Sequence, residues 1–297
     1  MTQIVLLTGA TGFLGSHLVK GLLRQDYQVI ILKRSFSNTW RIDDFLSQLI
    51  CFDVDLCEID QPFKEVEKID VVIHAATCYG RRNESISDVF EANTVFPLKL
   101  LETAAAFNVN TFINTDTSIN KDSIPYQGLP NYSLSKYQFT QWGKHFSSLD
   151  KINFFDVRLE QIFGQNDDDL KFVTYVIKGC LNNIDNLNLT AGEQQRDFIY
   201  IDDVVSAYLF LLDKLNQIPQ KYAEYELGCG QSISLREFVE TAHRLSNSQA
   251  QLNFGVLPYR DNEIMYSQAN IEPLNQLGWF PQWNLNDALI ETIKSFS

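Results

Sequence analysis

The sequence predicts an α/β protein whose first half is a doubly wound parallel sheet. Three observations carry that expectation. Short apolar runs recur along the first half, helical stretches separate them, and three glycines punctuate the junction between the first run and the first helix.

The runs "QIVLLTG", "YQVIILKR", "IDVVIHAA", "NTFINTD" and "INFFDVRL" are rich in Val, Ile, Leu and Phe and are bounded by turn residues. Continuous apolar runs, rather than alternating ones, suit strands covered on both faces. Between them, "FLGSHLVKGLLRQ" places Leu14, Leu18 and Leu22 on one helical face, and "VFEANTVFPLKLLETAAAF" reads as another helix. Past Gly164 the pattern loosens. "GQNDDDLKF" is a polar break, a helix-like run reaches Cys180, and "FIYIDDVVSAYLFLLDKL" reads as a strand entering a helix. The expected organisation is a Rossmann-type domain over 1–164, with part of about 198–228 returning to it. A smaller, discontinuous α/β region over 165–297 follows.

A chain of 297 residues with 45% hydrophobic and 21% charged residues has ordinary globular composition. Its formal net charge of −13 argues against nucleic-acid binding, which needs basic clusters. The five cysteines show no CxxC pairing and the four histidines are scattered, so no metal site is expected. The N-terminus lacks the basic start of a signal peptide and no apolar run reaches spanning length. The expectation is a cytoplasmic protein away from membranes, with its cysteines reduced.

"TGATGFLG" places Gly9, Gly12 and Gly15 between the first strand and the first helix, with Thr11, Phe13 and Leu14 among them. Gly9 permits a tight turn, Gly12 lets the backbone approach a pyrophosphate, and Gly15 permits close helix packing. The helix N-terminus offers N–H groups and positive dipole to the phosphates. A dinucleotide is therefore the expected cofactor. An acidic residue ending the second strand would bind a ribose 2′-hydroxyl. Here the strand ends in Lys33, Arg34 and Ser35, which fit a 2′-phosphate, so NADPH is expected, with NAD as the alternative if that loop is merely solvated. Asp53 and Val54 in "CFDVDL" are candidates at the adenine, with Asp55 as the neighbouring register. "HAAT" brings His74, Ala75 and Ala76 to the carboxyl edge, where small side chains let backbone lie against the cofactor. His74 reads as a loop anchor rather than a chemical group.

"NYSLSKYQ" places Tyr132 and Lys136 four apart at the start of a helix, on one face. Phe139, Trp142 and Phe146 would form the core stripe of that helix.

Together these motifs resemble the extended short-chain dehydrogenase/reductase family, the nucleotide-sugar epimerases, dehydratases and reductases. The resemblance spans nearly the whole chain. It includes the glycine motif, "HAA", Asn93 in "EANTVFPLKLLE", "YSLSK", "RDFIYIDDV" and "LGWFP". It implies a catalytic triad in which Tyr132 is the acid/base. Lys136 holds the nicotinamide ribose and lowers the tyrosine pKa. It implies cofactor contacts at Asn93. The third triad member comes from "NTDTS": Thr117 in the ungapped register, Thr115 after a two-residue slip. The interval from Thr117 to Tyr132 is shorter than the family's usual loop.

Family dehydratases carry an Asp-Glu pair after the threonine. In the Thr115 register Asp116 matches but Thr117 stands at the Glu position, which disfavours elimination. Lys33 and Arg34 tilt the choice between epimerase and 4-ketoreductase toward the reductase. Arg196 in "QQRDFIY" and Arg260 in "LPYRDNEIM" match arginines that meet a nucleotide-sugar diphosphate in the family, and Gln161 in "RLEQIFG" matches a substrate-facing Asn. The alternative for Arg196 is a scaffold ion pair with Asp197 or Asp202. Within the family, "TGATGF", "LKRSFSNTWRI", "NTDTS" and "NYSLSKYQF" look most like the CDP-abequose synthase group. Those enzymes reduce the 4-keto group of a CDP-3,6-dideoxyhexulose with NADPH, a step toward lipopolysaccharide O-antigen. For a dideoxy sugar, Tyr79, Phe172 and Tyr175 are candidate apolar wall residues. The competing readings are an NAD-dependent 4-epimerase and a non-catalytic NADP-binding regulator. A homodimer through the helices around 96–106 and 133–146 is the family's habit.

Overall fold

The computed structural model describes residues 3–120 and 128–296. The strands are β1 (Ile4–Thr8), β2 (Gln28–Lys33), β3 (Ile50–Asp53), β4 (Val71–His74), β5 (Thr111–Thr117), β6 (Asn153–Leu159), β7 (Gln161–Phe163), β8 (Leu187–Asn188), β9 (Gln195–Tyr200), β10 (Tyr222–Leu227), β11 (Ser232–Ser234) and β12 (Leu252–Asn253). The helices are α1 (Phe13–Arg24), α2 (Gln61–Glu65), α3 (Ile86–Phe90), α4 (Phe96–Ala106), α5 (Pro130–Ser148), α6 (Phe172–Leu181), α7 (Ile201–Lys214), α8 (Leu235–Leu245), α9 (Glu272–Leu277) and α10 (Leu285–Lys294).

The chain divides into two compact units, Met1–Arg158 with Val205–Tyr225, and Leu159–Val204 with Glu226–Ser297. The first unit ends six residues before the polar break expected at Gly164, and the segment returning to it is 205–225 rather than about 198–228. The break in composition follows the loop, while the boundary follows packing.

One seven-stranded sheet has the order β10-β6-β5-β4-β1-β2-β3. β1 pairs in parallel with both β2 and β4, β2 with β3, and β4 with β5. Strand order reverses between β1 and β4. Their carboxyl ends, Thr8 and His74, therefore stand at the crevice where such sheets bind ligands. Val5, Leu6, Leu7, Val29, Ile30, Ile31, Val72 and Ile73 are fully or almost fully buried, as strands covered by helices require. The second unit carries a three-stranded sheet β11-β9-β7 and a two-stranded pair β12-β8. Phe163, Phe198 and Phe238 pack together there, the last two stacked with centroids 4.1 Å apart.

Between α3 and α4 the chain passes through one π-helical turn, Glu91–Val95. Such turns recur at functional sites because they re-aim one side chain. Here the turn buries Asn93 completely. The expected stripe on α5 holds at Phe139, which is fully buried, but Trp142 is 44% exposed. The helix turns Ser135, Lys136, Thr140, Gly143 and Ser147 inward instead, because Gly143 lies against Phe154 so closely that a methyl group would meet its ring at 2.1 Å.

Candidate active site

Gly9 adopts φ +73°, and a Cβ there would lie 2.6 Å from the Ala76 amide nitrogen. A side chain at Gly15 would stand 2.0 Å from the Gly9 carbonyl oxygen. These two glycines fold the loop onto itself and against Ala75 and Ala76. Gly12 donates its N–H to the Gly9 carbonyl (2.9 Å) and caps α1 without any side-chain hydrogen bond. The first turn of α1 holds no acidic residue. Free N–H groups and an unopposed dipole make a seat for a pyrophosphate, so the residues present fit a dinucleotide. Phe13 and Leu14 are buried, leaving their backbone as the part available to a ligand. Thr11 is half-buried, and its carbonyl lies 3.5 Å from Arg41 Nη1.

His74 is fully buried, with its ring packed among Phe96, Phe112 and Phe139. The Ala76 N–H donates to Thr8 Oγ1 (3.2 Å), so the Thr8 hydroxyl donates onward to His74 Nδ1 (2.8 Å). Burial, and then Lys136, push the imidazole well below its ordinary pKa, leaving it neutral. The ring thus ties β4 to β1, and a ligand could meet only its backbone.

Asn93 closes a similar tie. Its Oδ1 accepts from the Cys78 N–H (2.7 Å), and its Nδ2 donates to the Cys78 carbonyl (2.8 Å) and Ser135 Oγ (3.0 Å). It locks the loop after β4 to the start of α5. Beyond that lock, Tyr79 stacks over Tyr132 with centroids 4.9 Å apart, and Arg81 lies 5.0 Å from the Tyr79 centroid.

Tyr132 begins α5 and is 6% exposed; Lys136, one turn on, is 2% exposed. Lys136 Nζ donates to the Thr115 carbonyl at 2.5 Å. The Thr117 hydroxyl, on the last residue of β5, hydrogen-bonds the Tyr132 phenol, whereas the Thr115 hydroxyl pairs with Tyr208 OH at 2.7 Å. Part of the short interval joining Thr117 to Tyr132, residues 121–127, lies outside the described residues. The family resemblance implies that Lys136 lowers the Tyr132 pKa. The arrangement does the opposite: burial, then Tyr79 and Asp116, push the phenol well above its ordinary value, and only the Thr117 bond and Arg81 oppose them. Burial also lowers Lys136, while Asp116 and Asp156 pull it back.

Behind the triad lies a cluster that the sequence does not announce. Asp116 and Asp156 share the Thr140 hydroxyl at 3.2 and 3.3 Å, and Asp156 also accepts from Asn114 (2.7 Å) and Arg158 Nε (3.2 Å). Burial and the Asp116 charge push Asp156 up to about 7. No spacing along the chain signals the cluster, because its members come from β5, β6 and α5.

At the end of β2, Lys33 forms an ion pair with Asp53, its register partner on β3. Arg34 is exposed, with its guanidinium 4.8 Å from the Phe36 ring centroid. The Ser35 N–H and hydroxyl donate to the two Asp55 oxygens, at 2.7 and 2.6 Å. Val54 packs against the core. In the second unit, Gln161 and Arg260 are exposed, and Arg260 pairs with no carboxylate among the described residues. Arg196 is tied to Glu263 (2.7 Å) and the Gln195 carbonyl (2.8 Å), so the scaffold alternative holds with a different partner from Asp197 or Asp202. Asp197 instead accepts from the Cys229 and Gly230 amides. Among the described residues no group of His, Cys, Asp and Glu could hold a metal ion, and no helix is long and apolar enough to cross a membrane.

The model of the NAD dependent epimerase/dehydratase family matches residues 5–228. A CDP-abequose synthase of Salmonella typhimurium is 33% identical over 99% of this chain and 98% of its own. One from Salmonella muenchen is 35% identical over 95% of this chain and 94% of its own. Among solved structures, the Thermus thermophilus UDP-glucose 4-epimerase complex with NAD superposes with a TM-score of 0.82 at 21% identity, over 99% of each chain. That likeness concerns the fold alone. The glycine loop, the Thr-Tyr-Lys constellation and the family match agree: the chain belongs to the NAD dependent epimerase/dehydratase family, the extended short-chain dehydrogenase/reductases.

Proposed function

We propose that this chain is an NADPH-dependent reductase of the 4-keto group of a nucleotide-linked deoxy sugar. The observation that carries the reading is the buried Tyr132 phenol, bonded to Thr117 and held above its ordinary pKa. Reducing a carbonyl requires a proton for the oxygen, and a phenol that stays protonated at neutral pH is the donor that step needs. Thr117 holds the carbonyl oxygen, Tyr132 delivers the proton, and Lys136 binds the nicotinamide ribose. NADPH, when bound, supplies the hydride. Gly9, Thr11, Gly12, Phe13, Leu14 and Gly15 would seat its pyrophosphate, and Arg34 and Ser35 its 2′-phosphate. Asp53, Val54, Ala75, Ala76 and Asn93 would line the remainder.

The similarity to CDP-abequose synthases supports a CDP-linked substrate and a place in making O-antigen sugars. Arg260, exposed and without a carboxylate partner among the described residues, suits a diphosphate; Arg196 would have to exchange Glu263 for it, and Gln161 offers an amide to the sugar. The reading includes a cytoplasmic homodimer through α4 and α5, where Leu134, Tyr137 and Trp142 are exposed.

One observation favours a second reading. The Lys33–Asp53 pair withdraws a cation from the 2′-phosphate seat, as an NAD-dependent 4-epimerase would allow. Dinucleotide analysis of the purified protein, followed by NADPH and NADH titration, separates the two. An empty site with NADPH preference supports the reductase; tightly bound NAD supports the epimerase.

A further inference from the structure

We infer that Asp55 sets the balance between 2′-phosphorylated and plain dinucleotides, by occupying the donors that a 2′-phosphate would use. The inference rests on the cofactor seat proposed above. At the end of β2 the chain turns tightly, with the Ser37 N–H on the Arg34 carbonyl (2.9 Å) and the Arg34 N–H on Ser37 Oγ (3.1 Å). The turn leaves the Ser35 N–H and hydroxyl pointing the same way. Asp55 spans both, one carboxylate oxygen on each, at 2.7 and 2.6 Å. An oxyanion held on a backbone N–H and a neighbouring hydroxyl is how phosphate is held too. Ser35 thus grips a carboxylate from its own chain.

The charges around this grip are unevenly committed. Lys33 is neutralised by Asp53. Arg34 lies against the Phe36 ring, and Arg41, stacked 4.4 Å from the Trp40 centroid, reaches the Thr11 carbonyl of the glycine loop. The cations positioned for a 2′-phosphate are therefore Arg34 and Arg41, not Lys33. The Ser35 hydrogen bonds hold Asp55 below the usual carboxylate range, so it stays charged at working pH. Asp55 is fully exposed, and exposed hydrogen bonds exchange readily for water, so an incoming phosphate can displace it. A plain ribose, with a neutral 2′-hydroxyl, has no need to.

The test is calorimetric titration of the full chain with NADPH and NADH, for wild type, Asp55→Ala, and Ser35→Ala combined with Asp55→Ala. Freeing Ser35 in Asp55→Ala tightens NADPH by ~5-fold and leaves NADH within about twofold. In the Ser35→Ala background at least half of that gain disappears, because the hydroxyl no longer benefits. Unchanged NADPH affinity, equal tightening of both dinucleotides, or a gain untouched by Ser35→Ala overturns the inference. A wild-type preference for NADH counts against the NADPH reading alone, since the effect of Asp55 is read within each dinucleotide.

Discussion

Replacing Tyr132 with phenylalanine removes one oxygen from a site that is otherwise left standing. The phenyl ring keeps the stack on Tyr79, whose centroid lies 4.9 Å away, and stays buried on α5. The lost Thr117 hydrogen bond is worth about 1 kcal/mol, and removing a desolvated phenol returns part of that, so the melting temperature should move by only a few degrees. Lys136 bonds to the Thr115 carbonyl rather than to Tyr132, so the dinucleotide seat is untouched. Turnover is another matter. A positioned general acid contributes roughly 10²- to 10⁴-fold, or about 3–5 kcal/mol of barrier. Steady-state kinetics should show kcat falling by that factor, while NADPH affinity measured by titration stays within about twofold. A variant that retains more than a tenth of wild-type kcat would refute the assignment of Tyr132 as proton donor.

The two threonines of β5 should separate cleanly. Thr117→Val should lower kcat by ~10²-fold with little change in stability, as losing one donor at a polarised oxygen does. Thr115→Val strands the buried Tyr208 hydroxyl and should cost about 1–3 kcal/mol in denaturant unfolding while sparing kcat; the reverse pattern would select Thr115 as the catalytic residue. The Asp156 carboxyl, pushed up to about 7, gives a pH signature. Between an unfolded value near 4 and the folded value, the native state holds a proton that the unfolded chain lacks. Its contribution is complete below about pH 4 and is lost as pH rises through about 7, at up to ~1.4 kcal/mol per pH unit. Thermal unfolding from pH 5 to 8 should therefore decline less steeply in Asp156→Asn than in wild type, and parallel declines would count against the shift.

Much of the fold is legible in the sequence because local pattern and packing agree. β1, β2, β4, β5 and β6 are buried apolar runs, and their helices follow at the spacing a parallel sheet demands. β10 is harder to read. It stands at a sheet edge, and Glu224 within it pairs with Arg158 and Lys144, so its sequence "YAEYEL" looks polar. The glycine loop and the Tyr132–Lys136 face are encoded by short spacings. The Lys33–Asp53 pair, the Asp116–Thr140–Asp156 cluster and the Asn93 clamp depend on register and on which helix crosses which strand. No spacing along the chain carries that information. The π-helical turn that aims Asn93 inward is equally silent, since "EANTV" reads as ordinary helix. Trp142 misleads because helical periodicity identifies an apolar face but not how near the sheet approaches, and Gly143 marks that approach.

The central claim is net reduction by a protonated Tyr132. The most direct measurement is the stoichiometry of NADPH consumed per nucleotide sugar converted, with a CDP-linked 4-keto-3,6-dideoxyhexose as substrate. The account predicts one NADPH oxidised for each 4-hydroxyl formed, and none in Tyr132→Phe on the same timescale. Interconversion of 4-hydroxy epimers without net NADPH consumption would contradict it.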